Sequence, residues 1–204
     1  MSMSETQRRR EEQRQALIAA AERAIAAQGL AGLKARELAS EVGCSLGAIY
    51  NLVQDMDELV LRVGSRTLSR LDVALTEVES GPEGAVERLV AIALAYCRFA
   101  RANLHLWRTL FDHRMAEGSE VPDWAVSEQM QLFRHIAVPL SELLPNAGGD
   151  RLTLLTRTLF SAVHGVLVLG LDEKLIAVPV AALEQQIDML VRLVCAGLGS
   201  EESR

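Results

Sequence analysis

The sequence predicts an all-α protein, and three observations support this. Apolar residues recur at steps of three and four positions through most of the chain, which is the spacing of one helix face. No stretch alternates apolar and polar residues long enough to indicate a strand, and the sequence has no internal repeat. Residues 33–53 describe two short helices that cross around a tight turn. We therefore expect a three-helix helix-turn-helix domain over residues 1–55 and a larger helical bundle over residues 56–204.

The helix-turn-helix prediction depends on a glycine and a serine between two short apolar patterns. Gly43 stands where the first helix must stop, because glycine accepts the left-handed backbone that ends a helix. Ser45 is the N-cap candidate of the second helix, since its hydroxyl can accept from a free backbone amide. The residues expected to be buried are Leu38, Ala39, Val42, Ile49, Leu52 and Val53. The exposed front, narrow enough for a DNA major groove, would consist of Ser45, Leu46, Gly47, Ala48, Tyr50 and Asn51.

The other helices follow from the same periodicity. Their expected ranges are 11–28, 56–78, 82–101, 103–115, 122–144, 150–171 and 180–198. Residues 1–10 are polar, which predicts a mobile arm ahead of the first helix. Gly29 is expected to cap the end of that helix.

Acidic residues and prolines predict where several of these helices begin or bend. Asp55 or Asp57 can cap the long helix that starts near residue 56. Pro82 and Pro179 suit the first positions of their helices, because the amide that proline lacks has no partner there. Pro139 falls inside an expected helix and should kink it.

Composition limits how the chain could bind nucleic acid. The chain has 204 residues, 50% hydrophobic and 24% charged, and its formal net charge is −6. It can bury a substantial core, but the whole molecule does not attract DNA, so binding requires a local basic patch. The candidates are Lys34, Arg36 and the run Arg8, Arg9, Arg10 and Arg14. A solvated terminus, with Glu11 and Glu12 cancelling part of the charge, is an equal alternative for the arginine run.

Cysteine count and hydropathy predict the compartment. Cys44, Cys97 and Cys195 are an odd number without paired spacing, which favours reduced thiols in the cytosol over a disulfide framework. Nothing at the N-terminus resembles a signal peptide, and no uncharged run reaches the ~18 apolar residues that a membrane helix needs. We expect a soluble cytoplasmic protein with no membrane partner.

The helix-turn-helix spacing, one amphipathic helix before it and a long one after it, resembles the N-terminal domain of the TetR family of transcriptional repressors. The motif resemblance covers roughly residues 14–61. The pair His164 and Gly165 is similar to one in a subclass of the family's C-terminal domains. A glycine within an apolar helix costs about 1 kcal/mol against alanine, so close approach of another helix or of a ligand is expected at Gly165.

The resemblance implies a role for each exposed residue of the motif. Arg36 matches a position that reaches a guanine edge, and Tyr50 matches a tyrosine whose hydroxyl contacts a phosphate. The backbone of residues 45–47 would bind phosphate. Bases would face Ser45, Leu46, Ala48 and Asn51, of which Asn51 can pair with adenine. Tyr50 could instead pack as an aromatic residue against the first helix, and this packing is compatible with the phosphate contact.

Three departures from the family pattern weaken the expected phosphate contacts. Lys34 stands where members often carry threonine or serine, Leu52 replaces an aromatic residue or histidine, and no lysine lies near Gln54 or Met56. Because phosphate contacts supply much of the affinity, this implies weak DNA binding, or reliance on Lys34 and the N-terminal arginines.

The resemblance also implies a small apolar effector in the larger domain. A pocket for it would be mostly apolar with a few polar groups. Its candidate lining residues are Tyr96, Phe99, Trp107, Phe111, Met130, Phe133 and His164. For each aromatic or methionine residue, a core position is the stronger alternative. For His164, a hydrogen bond to a neighbouring carbonyl is as well supported as a ligand contact.

Other classes of function have less support. The histidines form no HExxH pair and the cysteines no CxxC pair, so neither a metal nor another cofactor is expected. GxSxG, P-loop and GxGxxG motifs are missing, so we do not expect an enzyme. The remaining alternative is a helical interaction or ligand-binding protein that has lost specific DNA binding.

The expected partners are a double-stranded palindromic DNA operator and a second copy of the chain. One recognition helix offers too few base contacts for high specificity, and two-fold pairing doubles them. The two C-terminal helices carry apolar residues on more than one face, and residues 158–171 have no charge before Asp172. A helix of this kind needs two partners, which predicts a homodimer through these helices.

Overall fold

The computed structural model describes residues 4–81, 83–173 and 178–202, and these residues form ten α-helices and no strand. The all-α prediction is confirmed. The helices are α1 (Glu5–Gln28), α2 (Ala35–Glu41), α3 (Leu46–Ile49), α4 (Met56–Glu79), α5 (Ala85–Ala102), α6 (Leu104–Asp112), α7 (Asp123–Leu132), α8 (Arg134–Leu143), α9 (Gly149–Leu171) and α10 (Leu183–Glu202). Short 3-10 turns lie at Leu30–Gly32 and Val180–Ala182.

The chain divides into two compact units. The first unit comprises Met1–Ser69 and Asn103–Val126, and the second comprises Arg70–Ala102 and Ser127–Arg204. By compactness, therefore, the first unit contains α6 and most of α4 as well as the helix-turn-helix. The functional boundary between residues 55 and 56 stays a prediction.

Helix α1 is longer than predicted, and the expectation of a mobile arm is wrong for residues 5–10. Ser4 and Gln7 form a capping box: the Ser4 hydroxyl accepts from the Gln7 amide, and the Gln7 side chain accepts from the Ser4 amide. The two bonds satisfy backbone donors that a frayed terminus would expose to water. The Ser-x-x-Gln spacing that specifies this start is visible in the sequence.

The first unit packs around the apolar face of α1. Gly29 ends α1 with a φ of 68°, and its amide donates to the Ile25 carbonyl, as expected for a glycine cap. The buried core includes Leu17, Ile18, Ala20, Ala21, Ile25, Leu38, Ala39, Ile49, Val53, Leu59, Val63 and Leu106. Helices α2, α3, α4 and α6 all contribute to it, so α1 braces the helix-turn-helix directly.

The structure shows which residue caps α4 and where α5 begins. Asp55, not Asp57, caps α4, because its carboxylate accepts from the Glu58 amide at 2.7 Å. Helix α5 begins at Ala85, three residues later than expected, after Gly84 with a φ of 91°. Pro82 lies outside the described residues.

The expected helix over residues 122–144 is two helices, and the break does not lie at Pro139. Phe133 separates α7 from α8, and its amide bonds to the Met130 carbonyl in a tighter i→i−3 turn. Pro139 lies buried within α8. The prediction of one helix kinked at Pro139 is therefore wrong.

The second unit is built around α5, which packs against α8 and α10. Nine residues of α5 are buried, so this helix is central to the unit. Helices α9 and α10 also pack together, and Pro179 precedes the 3-10 turn that leads into α10. The closest approach is at Gly170, where a Cβ atom would lie 2.3 Å from Cδ2 of Leu183. Only glycine allows this contact without displacing Leu183.

Candidate DNA-reading surface and aromatic cluster

The turn between α2 and α3 has the geometry that the sequence predicts. Gly43 adopts a φ of 69°, and the Cys44 amide donates to the Ala39 carbonyl at 2.9 Å, which closes the end of α2. The Ser45 hydroxyl accepts from the Ala48 amide at 3.2 Å and caps α3. Ile49 is fully buried and Val53 is 3% exposed, so both anchor the segment as predicted. The second helix is shorter than predicted, however, because α3 ends at Ile49 and Leu52 and Val53 lie beyond it.

Nearly all the predicted DNA-contacting residues are exposed. Ala48 is half-buried, whereas the exposed ones are Lys34, Arg36, Ser45, Leu46, Gly47, Tyr50 and Asn51. Tyr50 is 52% exposed, and its hydroxyl has no hydrogen bond within the described chain. This exposure favours the phosphate contact over packing against the first helix as its role.

The basic residues near the turn differ in whether they form an ion pair. Lys34 donates to Glu37 at 2.9 Å, so its charge is partly neutralised. Arg36 forms no ion pair with any described residue, although it lies only two positions further along. Arg36 is therefore better placed than Lys34 to carry a charge to a phosphate or a base.

The N-terminal arginines also differ in the groups that they contact. Arg8 lies 3.6 Å from Glu12, and Arg14 lies 3.0 Å from Glu11. Arg9 has no counter-ion among the residues that the structure describes. Arg10 donates from its guanidinium to the backbone carbonyl of Asn51, a long-range contact that the sequence analysis did not predict.

Three of the predicted effector-pocket residues lie together in the second unit. The Tyr96 hydroxyl and Nδ1 of His164 are hydrogen-bonded at 2.9 Å. Phe160 stacks on His164 with ring centroids 5.4 Å apart, and Phe133 meets Phe160 edge to face at 5.3 Å. Phe160, which the pocket prediction omitted, thus joins this aromatic cluster. The partner of Nδ1 of His164 is therefore a hydroxyl.

The other predicted lining residues have different surroundings. Trp107 is 2% exposed and packs edge to face on Phe111 in the first unit, 5.5 Å between ring centroids. Phe99 is buried in α5, and Met130 is 42% exposed on α7. Trp107 therefore has the burial of a core residue, which was the alternative for each aromatic side chain.

The expectation that another helix approaches Gly165 closely is wrong for the described chain, and a ligand there, the other possibility, stays a prediction. A Cβ atom there would meet no atom within 4 Å beyond its own helix turn, whereas Gly170 is tightly packed. The close approach exists on the same helix, five residues later. The subclass suggested by His164 and Gly165 stays a prediction.

His135 is a buried polar residue that the sequence analysis did not single out. Its Nε2 lies 2.7 Å from the Asp72 carboxylate, its Nδ1 pairs with Glu79, and the residue is fully buried. The imidazole thus bridges two carboxylates of α4 from a fully buried position. Burial tends to raise the pKa of Asp72, but the bonds from His135 and Arg134 outweigh it, so the pKa lies below its usual value.

The chain offers little for metal or thiol chemistry. Within the described ranges, no three His, Cys, Asp or Glu side chains are grouped to hold a metal ion. All three cysteines are free, and burial raises the pKa of the Cys97 and Cys195 thiols. By length and composition α9 could cross a membrane, with 28% of its most apolar 18-residue window buried. One such helix is weak support, because an apolar helix of a soluble protein has the same composition.

The fold and the exposed surface define a helix-turn-helix DNA-binding protein whose chain also carries a larger helical unit. Residues 17–63 match the family described as bacterial regulatory proteins, tetR family, and residues 89–194 match the tetracyclin repressor-like C-terminal domain. The chain belongs to the TetR family of transcriptional regulators. A sequence comparison with curated proteins finds no match.

Solved structures share this fold over most of their length. A protein of unknown function from Rhodococcus sp. RHA1 is 26% identical, with 88% of this chain and 93% of that one covered and a TM-score of 0.68. A tetR-family transcriptional regulator from Streptomyces coelicolor is 22% identical, with 94% of this chain and 85% of that one covered and a TM-score of 0.67. The transcriptional regulator FadR from Bacillus subtilis, in complex with stearoyl-CoA, is 16% identical, with 87% of this chain and 96% of that one covered and a TM-score of 0.68.

Proposed function

We propose that this chain is a sequence-specific transcriptional repressor that binds a palindromic operator as a dimer in the cytoplasm. The observation that carries the proposal is the capped turn and short helix of residues 43–51, which present polar and small side chains to solvent. Ile49 and Val53 anchor this segment in the core of the first unit. A reading surface must be rigid at its base and free at its front, and this segment has both properties.

Within this proposal, Arg36 and Tyr50 have separable roles. Arg36 would read a base edge, so Arg36→Ala should weaken binding and also blur base preference. Tyr50→Phe should weaken all sequences alike, since it removes only a phosphate contact. A mobility-shift assay on DNA upstream of the gene, with random duplex as competitor, measures both effects.

Arg114→Ala is the matched control for Arg36→Ala. Arg114 is exposed and unpaired within the described chain, but it lies in the loop after α6 and outside the helix-turn-helix. It should change neither affinity nor preference beyond a weak long-range effect of charge. If no upstream sequence competes better than random duplex at moderate salt, the repressor function is refuted. The chain would then be a helical interaction or ligand-binding protein.

The exposed apolar residues of the last two helices support the proposed dimer. Leu154 and Leu169 of α9 are 66% and 42% exposed, and Met189 and Leu193 of α10 are 56% and 66% exposed. A soluble monomer rarely leaves such a set in water, whereas a two-fold pairing of the α9 and α10 pair would cover it.

A charged substitution tests this interface. Leu193→Glu should give a folded monomer with weakened operator binding, measured by light scattering and circular dichroism. Val138→Glu is the control, because Val138 is 53% exposed on α8 and outside the proposed surface. A dimeric Leu193→Glu variant, or equal loss of dimer in both variants, would exclude α10 from the interface.

We also propose that a small apolar molecule in the second unit releases the operator. The aromatic cluster of Tyr96, Phe133, Phe160 and His164 supports this, because it combines apolar rings with one polar pair. The neighbour bound to stearoyl-CoA supports a ligand with an apolar acyl chain in this fold. The other predicted lining residues remain candidates.

Linkage supplies the test of the effector. A ligand shifts the equilibrium only if it prefers the form that does not bind DNA, so operator DNA must lower the ligand's affinity by the same factor. Mass spectrometry of co-purified molecules, and calorimetry with a panel that starts with stearoyl-CoA, identify the ligand. A ligand whose affinity is unchanged by saturating operator would refute release by this route.

A further inference from the structure

The first turns of α1 contact the end of the reading segment. Ser4 and Gln7 fix the helix start by a capping box, which makes residues 5–10 helical and sets the direction of the arginine side chains that follow. Arg10 then donates to the Asn51 carbonyl, across 41 residues of sequence. The capping box thus places Arg10 beside the turn that follows α3.

The Asn51 carbonyl lies where a very short helix ends. Helix α3 has four residues, and beyond it the Asn51 amide bonds to the Ala48 carbonyl at 3.1 Å in an i→i−3 turn. Asn51 lies two residues beyond the last residue of α3, and no backbone amide of the described turn donates to its carbonyl. A donor from outside the turn therefore satisfies this carbonyl. Arg10 supplies that donor to the residue predicted to pair with adenine.

Arg10 differs from its neighbours in how its charge is used. Arg8 and Arg14 pair with carboxylates of their own helix, and Arg9 has no ion pair within the described residues. Arg10 has no carboxylate partner either, but its guanidinium is engaged on the reading segment. The contact holds the backbone of Asn51, and the position of that backbone sets the direction in which the side-chain amide of Asn51 points.

We propose that Arg10 is a positioning residue for DNA reading, which holds the Asn51 backbone and does not itself contact a phosphate. The proposal rests on the operator binding proposed above. It predicts that α1 contributes to base discrimination through Arg10, although α1 itself enters no groove. It also predicts that the effect of Arg10 passes through the Asn51 side chain.

Operator binding by Arg10→Ala is the first test, and Arg9→Ala is the comparison of equal charge. Because Arg9 has no counter-ion and is free to meet a phosphate, Arg9→Ala should weaken operator and random duplex alike and reduce the salt slope by about 0.9 per site. Arg10→Ala should weaken operator binding about fivefold, as one lost hydrogen bond of ordinary strength does. The loss on random duplex should be smaller. The slope of log K against log salt should match that of the wild type, because no phosphate contact is lost. A slope smaller by about 0.9 per site, or an equal loss on random duplex, would make Arg10 a phosphate contact and overturn the proposal.

A double-mutant cycle with Asn51→Ala tests the route of the effect. Asn51→Ala keeps the carbonyl that Arg10 holds but removes the amide that reads the base. Adding Arg10→Ala to it should cause no further loss of preference at the adenine position. Additive losses of preference would show that Arg10 does not act through Asn51.

Hydrogen exchange on the free protein separates failure of this proposal from failure of operator binding. In Arg10→Ala, the amides of residues 51–53 should exchange several-fold faster than in the wild type, because the end of the segment loses its donor. Arg9→Ala should leave those rates unchanged. Equal rates in the two variants would refute the contact whether or not an operator is found.

Discussion

Two glycines of α9 offer a sharp test of how the second unit packs. At Gly165, an added Cβ would meet nothing within 4 Å, so Gly165→Ala should gain the helix propensity of alanine, about 1 kcal/mol. At Gly170, the added Cβ would lie 2.3 Å from Cδ2, 3.0 Å from Cδ1 and 3.1 Å from Cγ of Leu183. Leu183 is fully buried and cannot swing into solvent. Overpacking of this kind costs about 1–3 kcal/mol, which outweighs the gain in propensity.

The two variants should therefore change the free energy of unfolding in opposite directions. Urea denaturation followed by circular dichroism should give a higher midpoint for Gly165→Ala and a lower one for Gly170→Ala, with similar m-values. The pair is matched, since both changes add one methyl group to the same helix. Leu183→Ala removes the atoms that the added Cβ would meet. Gly170→Ala should therefore cost less free energy of unfolding in a Leu183→Ala background than in the wild type.

A destabilised Gly165→Ala would refute the reasoning at that position. It would mean that in solution a partner subunit or a bound molecule approaches Gly165. A Gly170→Ala variant as stable as the wild type would mean that Leu183 rearranges without cost, and that the α9–α10 contact is not tightly packed.

Three further predictions concern the α3 cap and the contacts between His135 and α4. Ser45→Ala should lower stability by about 1 kcal/mol through loss of the α3 cap, with Ser40→Ala on α2 as the exposed control, both measured by thermal unfolding. His135→Gln should destabilise by about 2 kcal/mol, because Glu79 loses its partner and Asp72 keeps only Arg134. Because the pKa of Asp72 is lowered in the fold, its contribution is present above the usual aspartate range and is lost as pH falls through the folded pKa. The acid limb of stability against pH should therefore be shallower in Asp72→Asn, and an unchanged acid limb would contradict the assignment.

Local patterns predicted the helix-turn-helix closely. Gly43 and Ser45 act through their own backbone and the next few residues, so their roles can be inferred from spacing alone. The capping box at Ser4 is equally local, because its Ser-x-x-Gln spacing is present in the sequence. The start of α1 is therefore predictable from spacing, although the polarity of residues 1–10 suggests a mobile arm.

Long-range partners were not predictable from one sequence. Nothing near Arg10 in the chain indicates Asn51, and nothing near His135 indicates two carboxylates on α4. The same reason explains the glycines: spacing shows that a glycine lies within a helix, but only the packed structure shows that Leu183 meets Gly170 and that no atom meets Gly165.

Ion pairing also predicts how DNA binding should depend on salt. An arginine that already holds a carboxylate adds little to the release of counterions, because its charge is compensated before DNA arrives. Among the described basic residues of α1 and α2, Arg9 and Arg36 lack such a partner, and Arg10 is engaged on a carbonyl. With Arg9 at a phosphate and Arg36 at the base edge proposed above, each subunit brings two uncompensated charges into contact with DNA, whereas Arg10 stays on the Asn51 carbonyl. At about 0.9 per contact, the four contacts of a dimer predict a slope of log K against log salt of about −3.6. Mobility shifts on the operator across a salt series measure it. A slope near −9 would mean that Lys34, Arg8 and Arg14 also exchange their carboxylates for phosphates on DNA, and the charge assignment from the free protein would then be wrong.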